Sequence, residues 1–471
     1  MLFNSLSYAL FLAVTWAVVR RAPPGWRVHL LVLASYWFYA TWSAKYAAMM
    51  FALAVMNYAF GWLVFRATTH RLLVTWLCVS VDLAVLGVFK YWNFFVGSVT
   101  SSVEAMGAAW RPPLVDLVLP LGISFFTFEF IHYLVDISRG SAPVETFSKF
   151  HVFAAFFPTQ IAGPIKRFHD FVPSLSALAS PDPALARDGL RLIVVGLVKK
   201  VLLADTLGPI ADAGFTALAS RPLGTLEAWT TMLAFSFQIY FDFSGYTDIA
   251  RGSAALFGLW IPPNFAGPYL ATSVGDFWRR WHISLSSWLR DYVFIPLGGS
   301  RRTLPLTLRN LLITMILGGL WHGAAWHFVV WGAFWGVVLA VDRLRQAFVR
   351  FPGGAVTLVF GWLTTQLIVL FGWVLFRAGN MAEARAMFAA MLFPRPGAIT
   401  ASSLVGGAVA AIAAAVAISL LLGLRDCRHT WWHRLPNPIQ PVVLGVAVAL
   451  ALVLTVVMAP NTGAKFIYFQ F

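Results

Sequence analysis

Charge is scarce in this chain. Only 11% of its 471 residues are Asp, Glu, Lys or Arg, against about 25% in ordinary soluble domains, which excludes a water-exposed globule. Cysteine is scarcer still, with Cys78 inside an apolar run and Cys427 in a polar stretch. Two such residues build neither a disulfide framework nor a thiolate zinc site. H-E-x-x-H and C-x-x-C spacings are both missing, so no bound metal is expected. A Gly-Lys-Ser/Thr phosphate loop is also missing, which argues against ATP hydrolysis, and without a Gly-x-Ser-x-Gly elbow a serine acyl-enzyme is not expected. The apolar runs are continuous where a β-barrel would alternate.

What is present is oil and aromatic rings, at 59% hydrophobic and 16% aromatic residues. Runs approaching the roughly 20 residues of a spanning helix recur along the whole length. They predict spans over 7–19, 28–42, 46–65, 72–90, 114–136, 190–212, 227–243, 307–320, 326–341, 356–375, 401–423 and 440–459. The fold class is therefore an all-α polytopic integral membrane protein with about 11–13 transmembrane helices, expected as one membrane-embedded domain over 1–471. The net charge of +15 sits in short loops such as Arg20/Arg21/Arg27, Arg66/Arg71, Arg343/Arg345/Arg350 and Arg425/Arg428/Arg434. Those loops fall on one side when the spans alternate, which is the positive-inside pattern of a membrane protein and no nucleic-acid stripe. Twelve crossings then put the loops in the cytoplasm and both termini outside. Arg20 and Arg21 follow the first apolar run, so it reads as a retained span and not a cleaved signal peptide.

Two regions are not clean spans. Segment 144–189 has its apolar patch broken by Pro158 and Pro164, and 260–305 holds Pro262, Pro263 and Pro268 ahead of Trp278, Trp281 and Trp288. Irregular backbone at membrane depth is tolerated where it is buried in protein or lines a cavity. Residues 270–303 are thus expected as re-entrant or interfacial helices on the cytoplasmic side. No internal repeat is visible, which weakens a symmetric-transporter reading.

Two histidines stand out in this setting. An intramembrane imidazole is costly and can move protons near neutral pH. His322 follows Trp321 and lies between Gly318-Gly319 and Gly323, small residues that let backbone and substrate approach the ring closely. It reads as a general base beside a narrow tunnel or, alternatively, as a packing histidine. On a helix, Trp278, His282 and Ser286 share one face by i, i+4 spacing, while Arg279 and Arg290 point elsewhere. It reads as a second orienting or proton-handling group, with Arg279, Arg280 and Arg290 gripping an anionic donor, although Trp and Arg here also suit simple interfacial anchoring. Asp242 and Asp248, in the run YFDFSGYTD from Tyr240, either orient an imidazole or close a helix-end ion pair. Lys90, Glu129 and Asp136 are further ionisable groups in apolar runs. The carboxy-terminal Lys465-Phe466-Ile467-Tyr468-Phe469-Gln470-Phe471 is an aromatic interface anchor or a tail offering the Tyr468 hydroxyl as an acyl acceptor.

Together these residues resemble the membrane-bound O-acyltransferase family, in the bacterial branch that includes the membrane subunit of alginate O-acetyltransferase. The resemblance covers nearly the whole chain. It is carried by FKYWNF from Phe89, LPLGISF from Leu119, QIAGPI from Gln160, YFDFSGY from Tyr240, FWRRWHISLSSWLRDY from Phe277 and GGLWHG from Gly318. It implies a funnelled bundle with a thin membrane centre and a core catalytic region of about 114–345, and the short runs 7–19 and 307–320 fit such thinning. It implies that His322 is the catalytic histidine and His282 the second essential one, and that the 460–471 tail is extracytoplasmic and similar to tails presenting an acyl-bearing tyrosine. His132 departs from the small polar residue of relatives.

The expected function is movement of an acetyl group from cytoplasmic acetyl-CoA, with no bound cofactor, across the inner membrane for O-acetylation of an exopolysaccharide such as alginate or cellulose. His322, His282 and Asp242 would be catalytic, and Arg279, Arg280, Arg290, Trp321 and Tyr468 would bind substrate. A periplasmic esterase-like partner and polysaccharide secretion machinery would complete the system. The alternatives are a transporter using Lys90, Glu129, Asp136 and Asp242 as a relay, or a non-catalytic scaffold of a secretion complex.

Overall fold

The structure, a computed structural model, describes residues 1–108, 110–180, 182–348, 354–397, 411–419 and 439–458. Among the described residues there are helices and no strands, as expected where each backbone group must find its partner without water. The chain is an all-α polytopic integral membrane protein. It divides into two compact units: 1–193 with 248–262, and 194–247 with 263–471.

The first unit opens with α1 (Leu6–Arg21), α2 (Pro24–Ala40) and α3 (Ala44–Arg66). Ser5 and Ser43 cap α1 and α3 by accepting backbone N–H groups from Tyr8 and Tyr46, and Pro24 starts α2 where its missing N–H costs nothing. Helix α4 runs over Arg71–Ala105 and holds one π turn, Gly87–Tyr91. The expected span 72–90 is thus the first part of a longer helix, which continues through polar residues such as Asn93 and Ser98.

The span expected at 114–136 is shorter than predicted. No helix forms over the proline-bearing 111–120, and α5 covers Ile123–Ser138, starting after Gly122 at φ 73°. There, a Cβ would strike the Gln160 carbonyl. The short α6 (Phe147–Ala155) and α7 (Phe168–Ser174) follow, in the stretch read as irregular.

Helix α8 (Pro183–Leu197) leads through a π turn, Val198–Ala204, into α9 (Asp205–Ser220). Helix α10 spans Thr225–Leu256, well past the predicted end at 243. In the second unit come α11 (Val274–Arg280), α12 (Ile283–Leu289) and a π turn at Arg290–Phe294. At 7 residues each, α11 and α12 extend about 10 Å and cannot span. They are followed by α13 (Leu304–His322), α14 (Trp326–Phe348), α15 (Ala355–Arg377), α16 (Met381–Leu392) and α17 (Ile439–Met458).

Five helices among the described residues are both long and apolar enough to cross a membrane: α3, α4, α13, α14 and α15. Helix α13 has 19 residues, about 28 Å at 1.5 Å per residue, so the expected short span at 307–320 is nearly full length. It forms a close hairpin with α14. A Cβ on Gly319 would strike the Phe328 carbonyl, and one on Gly332 the Met315 carbonyl. Backbones meet there because no side chain intervenes.

Candidate active site

His322 is the last residue of α13, so the glycine-packed hairpin fixes where its ring sits. Of the two approaches read from sequence for these glycines, backbone and substrate, Gly319 takes the first: the α14 backbone fills its place. Gly318 instead faces Leu289 Cδ1 at 3.1 Å from its would-be Cβ. The His322 ring stands edge-on to Trp331 at 5.0 Å and to Phe376 at 5.2 Å between centroids, and is 8% exposed. It lines a cavity of about 180 Å³ together with Trp278, Ser286, Arg290, Thr314 and Trp331.

His282 is not on a continuous helix, which corrects the shared face expected with Trp278 and Ser286. It lies between α11 and α12 at φ 44°, ψ 54°, the one non-glycine residue with positive φ among those described. Such a conformation costs on the order of 1–3 kcal/mol and persists where surroundings over-determine it. Asn264 supplies that constraint: its carbonyl accepts the Ile283 N–H at 2.9 Å and its Oδ1 accepts the Ser284 N–H at 3.0 Å. It thereby caps α12 from outside. Asn264 was missed from sequence, where the only hint was an asparagine after Pro262-Pro263.

The His282 ring is fully buried, 4.7 Å from Phe243 and 5.8 Å from Trp321 between centroids. Burial pushes its pKa down to about 3, so it is a neutral imidazole at physiological pH. Its centroid is 6.5 Å from that of His322. Trp321 bridges the two, at 5.0 Å from His322.

The remaining predicted residues separate. Arg290 is on the cavity wall with His322, pairs with Asp291 at 2.8 Å and keeps a 62% exposed side chain. Arg279 and Arg280 both lean on Asp276, at 3.3 and 2.9 Å; Arg280 also donates to the Ala266 carbonyl, while Arg279 is 71% exposed. The Asp242 carboxylate forms an ion pair with Lys200 at 2.6 Å, and Lys200 also reaches Asp205 at 2.7 Å. Lys200 escaped the sequence reading because its π turn lies far from Asp242 along the chain. Asp242 is nonetheless tied to the site through its neighbour Phe243. Tyr468 lies outside the described residues.

The first unit holds charge of a different kind. Glu129 and Lys166 form a buried pair at 2.7 Å, and Asp136 meets Arg139 at 3.5 Å and His169 at 3.3 Å. Buried His132, the departure noted above, hydrogen-bonds through Nδ1 to the Phe128 carbonyl at 3.1 Å. Lys90 donates to Ser124 Oγ at 3.1 Å, and Asn57 donates to Asp82 at 2.8 Å. A larger groove along α1–α3, of about 820 Å³, is almost wholly apolar, with walls such as Phe11, Leu33 and Trp37. No group of three or more His, Cys, Asp or Glu among the described residues is placed to hold a metal ion.

Comparison with known proteins brings these features under one heading. Residues 146–382 match the profile of the membrane-bound O-acyltransferase family. The chain is 42% identical to "Probable alginate O-acetylase AlgI" of Azotobacter vinelandii, over 83% of this chain and 78% of that one. It is 36% identical to the peptidoglycan O-acetyltransferase of Helicobacter pylori, over 75% of this chain and 71% of that protein. Similarity extends to the teichoic acid D-alanyltransferase of Bacillus subtilis, 26% identical over 67% of this chain and 80% of that one.

Proposed function

The chain belongs to the membrane-bound O-acyltransferase family, and from that footing we propose that it takes an acetyl group from cytoplasmic acetyl-CoA and delivers it outward for O-acetylation of an exopolysaccharide of the alginate or cellulose kind. Its general character, an O-acyltransferase in a membrane, rests on family and relatives alike. The supporting observation for the finer reading is that His322 and Arg290 share the wall of one small cavity.

In this mechanism the His322 imidazole takes the proton of an acceptor hydroxyl as its oxygen attacks the thioester carbonyl carbon. The C–S bond then breaks and the thiolate leaves with a proton. An alcohol or phenol needs such a base, since phenol ionises near pH 10, and the base contributes about 10²–10⁴-fold. Arg290, with Arg279 and Arg280 further out, would hold the donor's phosphates. Neutral His282 orients the site through Trp321, and Asp242 holds α10 so that Phe243 abuts His282. Tyr468 would be the first acyl acceptor, passing the group to a periplasmic esterase-like partner alongside the secretion machinery. No resident cofactor is needed. The protein would sit in the inner membrane with both termini periplasmic.

The test is acetyl transfer from labelled acetyl-CoA in membrane vesicles carrying wild type or His322→Ala. Loss of transfer with unchanged membrane insertion supports the proposal, and wild-type transfer by the variant removes His322 from the mechanism.

A further inference from the structure

Acyl transfer needs a second device besides a base. When the acceptor oxygen bonds to the thioester carbon, the carbonyl electron pair moves onto oxygen, and that developing charge must meet hydrogen-bond donors in a dry site. The donors on the cavity wall can be counted off. The Ser286 hydroxyl donates to the Trp281 carbonyl at 3.1 Å, and the Thr314 hydroxyl donates to the Asn310 carbonyl at 2.6 Å. Arg290 is turned to Asp291 and to solvent.

Two donors are left over. The indole Nε1 atoms of Trp331 and Trp278 are buried, and neither has a hydrogen-bond partner among the described residues. Both rings line the cavity, 5.9 Å apart between centroids, and Trp331 lies against the base itself. A buried indole N–H ordinarily finds an acceptor. Leaving two of them unmatched on the wall that carries the base is costly unless a passing acceptor uses them.

We propose that the Trp331 indole N–H, assisted by that of Trp278, is the oxyanion donor of this acyltransferase. It hydrogen-bonds the thioester carbonyl oxygen as the C–O bond forms and releases it when the carbonyl re-forms and the thiolate departs. His322 takes the hydroxyl proton and returns it to the thiolate, so the indole donates a hydrogen bond throughout and never a proton. The inference rests on the acyl-transfer reading above.

The test separates the N–H from the ring. Full-length protein with benzothienylalanine at position 331 keeps the tryptophan shape but replaces N–H with sulfur, and fluorinated tryptophan there makes the N–H a stronger donor. Thiol release from acetyl-CoA is followed in inverted membrane vesicles, with the His322→Ala rate as background. With benzothienylalanine, kcat should fall about 100-fold, the scale of one lost oxyanion donor, with KM within about twofold; the fluorinated ring should hold or raise kcat. An unchanged kcat with benzothienylalanine, or a loss confined to KM, overturns the proposal. Wild-type turnover by His322→Ala would instead sink the underlying reading, whatever position 331 does.

Discussion

The stripe along α5 and the pocket at the end of α13 both bury polar chemistry in an apolar chain, yet they are built on opposite lines. Along α5, Glu129 and Asp136 are answered by Lys166, Arg139 and His169, and Lys166 is further enclosed by Phe153 and Phe171, each ring centroid 5.6 Å from its ammonium. At the end of α13 one imidazole, that of His322, and the indoles of Trp278 and Trp331 line a cavity, with a single arginine on its wall. Answered charges can be taken out of water only as pairs, and such pairs leave little capacity for a substrate. Neutral donors and acceptors can be held dry without a partner at moderate cost, which lets a substrate become the partner. The count of buried charges therefore points to architecture, and the cavity points to chemistry.

The sharpest break in that comparison is His322→Ala. Acetyl transfer should drop by about 10²–10⁴-fold while the detergent-solubilised protein unfolds at the wild-type temperature; comparable losses of stability and activity would make His322 another structural group. Glu129→Ala should behave in reverse. It leaves the Lys166 ammonium buried and unanswered, a cost of about 3–5 kcal/mol, and should lower yield and unfolding temperature in step with activity. Joint replacement, Glu129→Leu with Lys166→Met, removes both charges and should recover most of that stability. If the double variant is as weak as the single one, the pair does more than satisfy itself.

A smaller effect probes how the pocket is held. Gly332→Ala places a methyl group against the Met315 carbonyl and Ile316 Cα, and overpacking of this kind costs about 1–3 kcal/mol. Parting α13 from α14 by even 1 Å shifts His322, and a shift of that size can cost about 10²-fold in rate. Transfer should therefore fall further than thermal stability suggests. Gly25→Ala, with open space around the would-be Cβ, is the control and should leave both untouched.

Much of this was legible in the residues, and what was not has physical causes. Solid apolar runs gave the helices, since a spanning segment declares itself by composition. Their ends drifted wherever a helix continues through polar residues, as α4 does past Asn93, or where prolines delay it, as before α5. His322 drew attention because a histidine between glycines at the end of an apolar run is rare, and the structure puts it on a cavity wall. The GLWHG spacing allowed both backbone and substrate at these glycines, and could not tell that Gly319 takes the α14 backbone. The partners of Asp242 and the cap provided by Asn264 are tertiary pairings between distant segments, which no local pattern encodes. The break at His282 was hidden for another reason: the spacing of Trp278, His282 and Ser286 imitates one helical face, and only the left-handed φ reveals two helices.

That break gives the mildest test, and it runs on pH. Folded His282 has its pKa pushed from 6.5 to about 3 by burial, so the unfolded chain binds a proton there more readily than the native one. Its contribution to stability is therefore whole above about pH 6.5 and is lost progressively as pH falls from there towards 3. Asparagine enters the left-handed region more easily than most residues, so His282→Asn should keep the turn between α11 and α12 while removing the titration. Between pH 7.5 and pH 5 the wild-type unfolding temperature in detergent should fall more than that of His282→Asn. Parallel curves would mean that His282 takes up a proton as readily in the native state as in the unfolded chain, and the contrast between a charged stripe and an uncharged imidazole beside the pocket would lose its support.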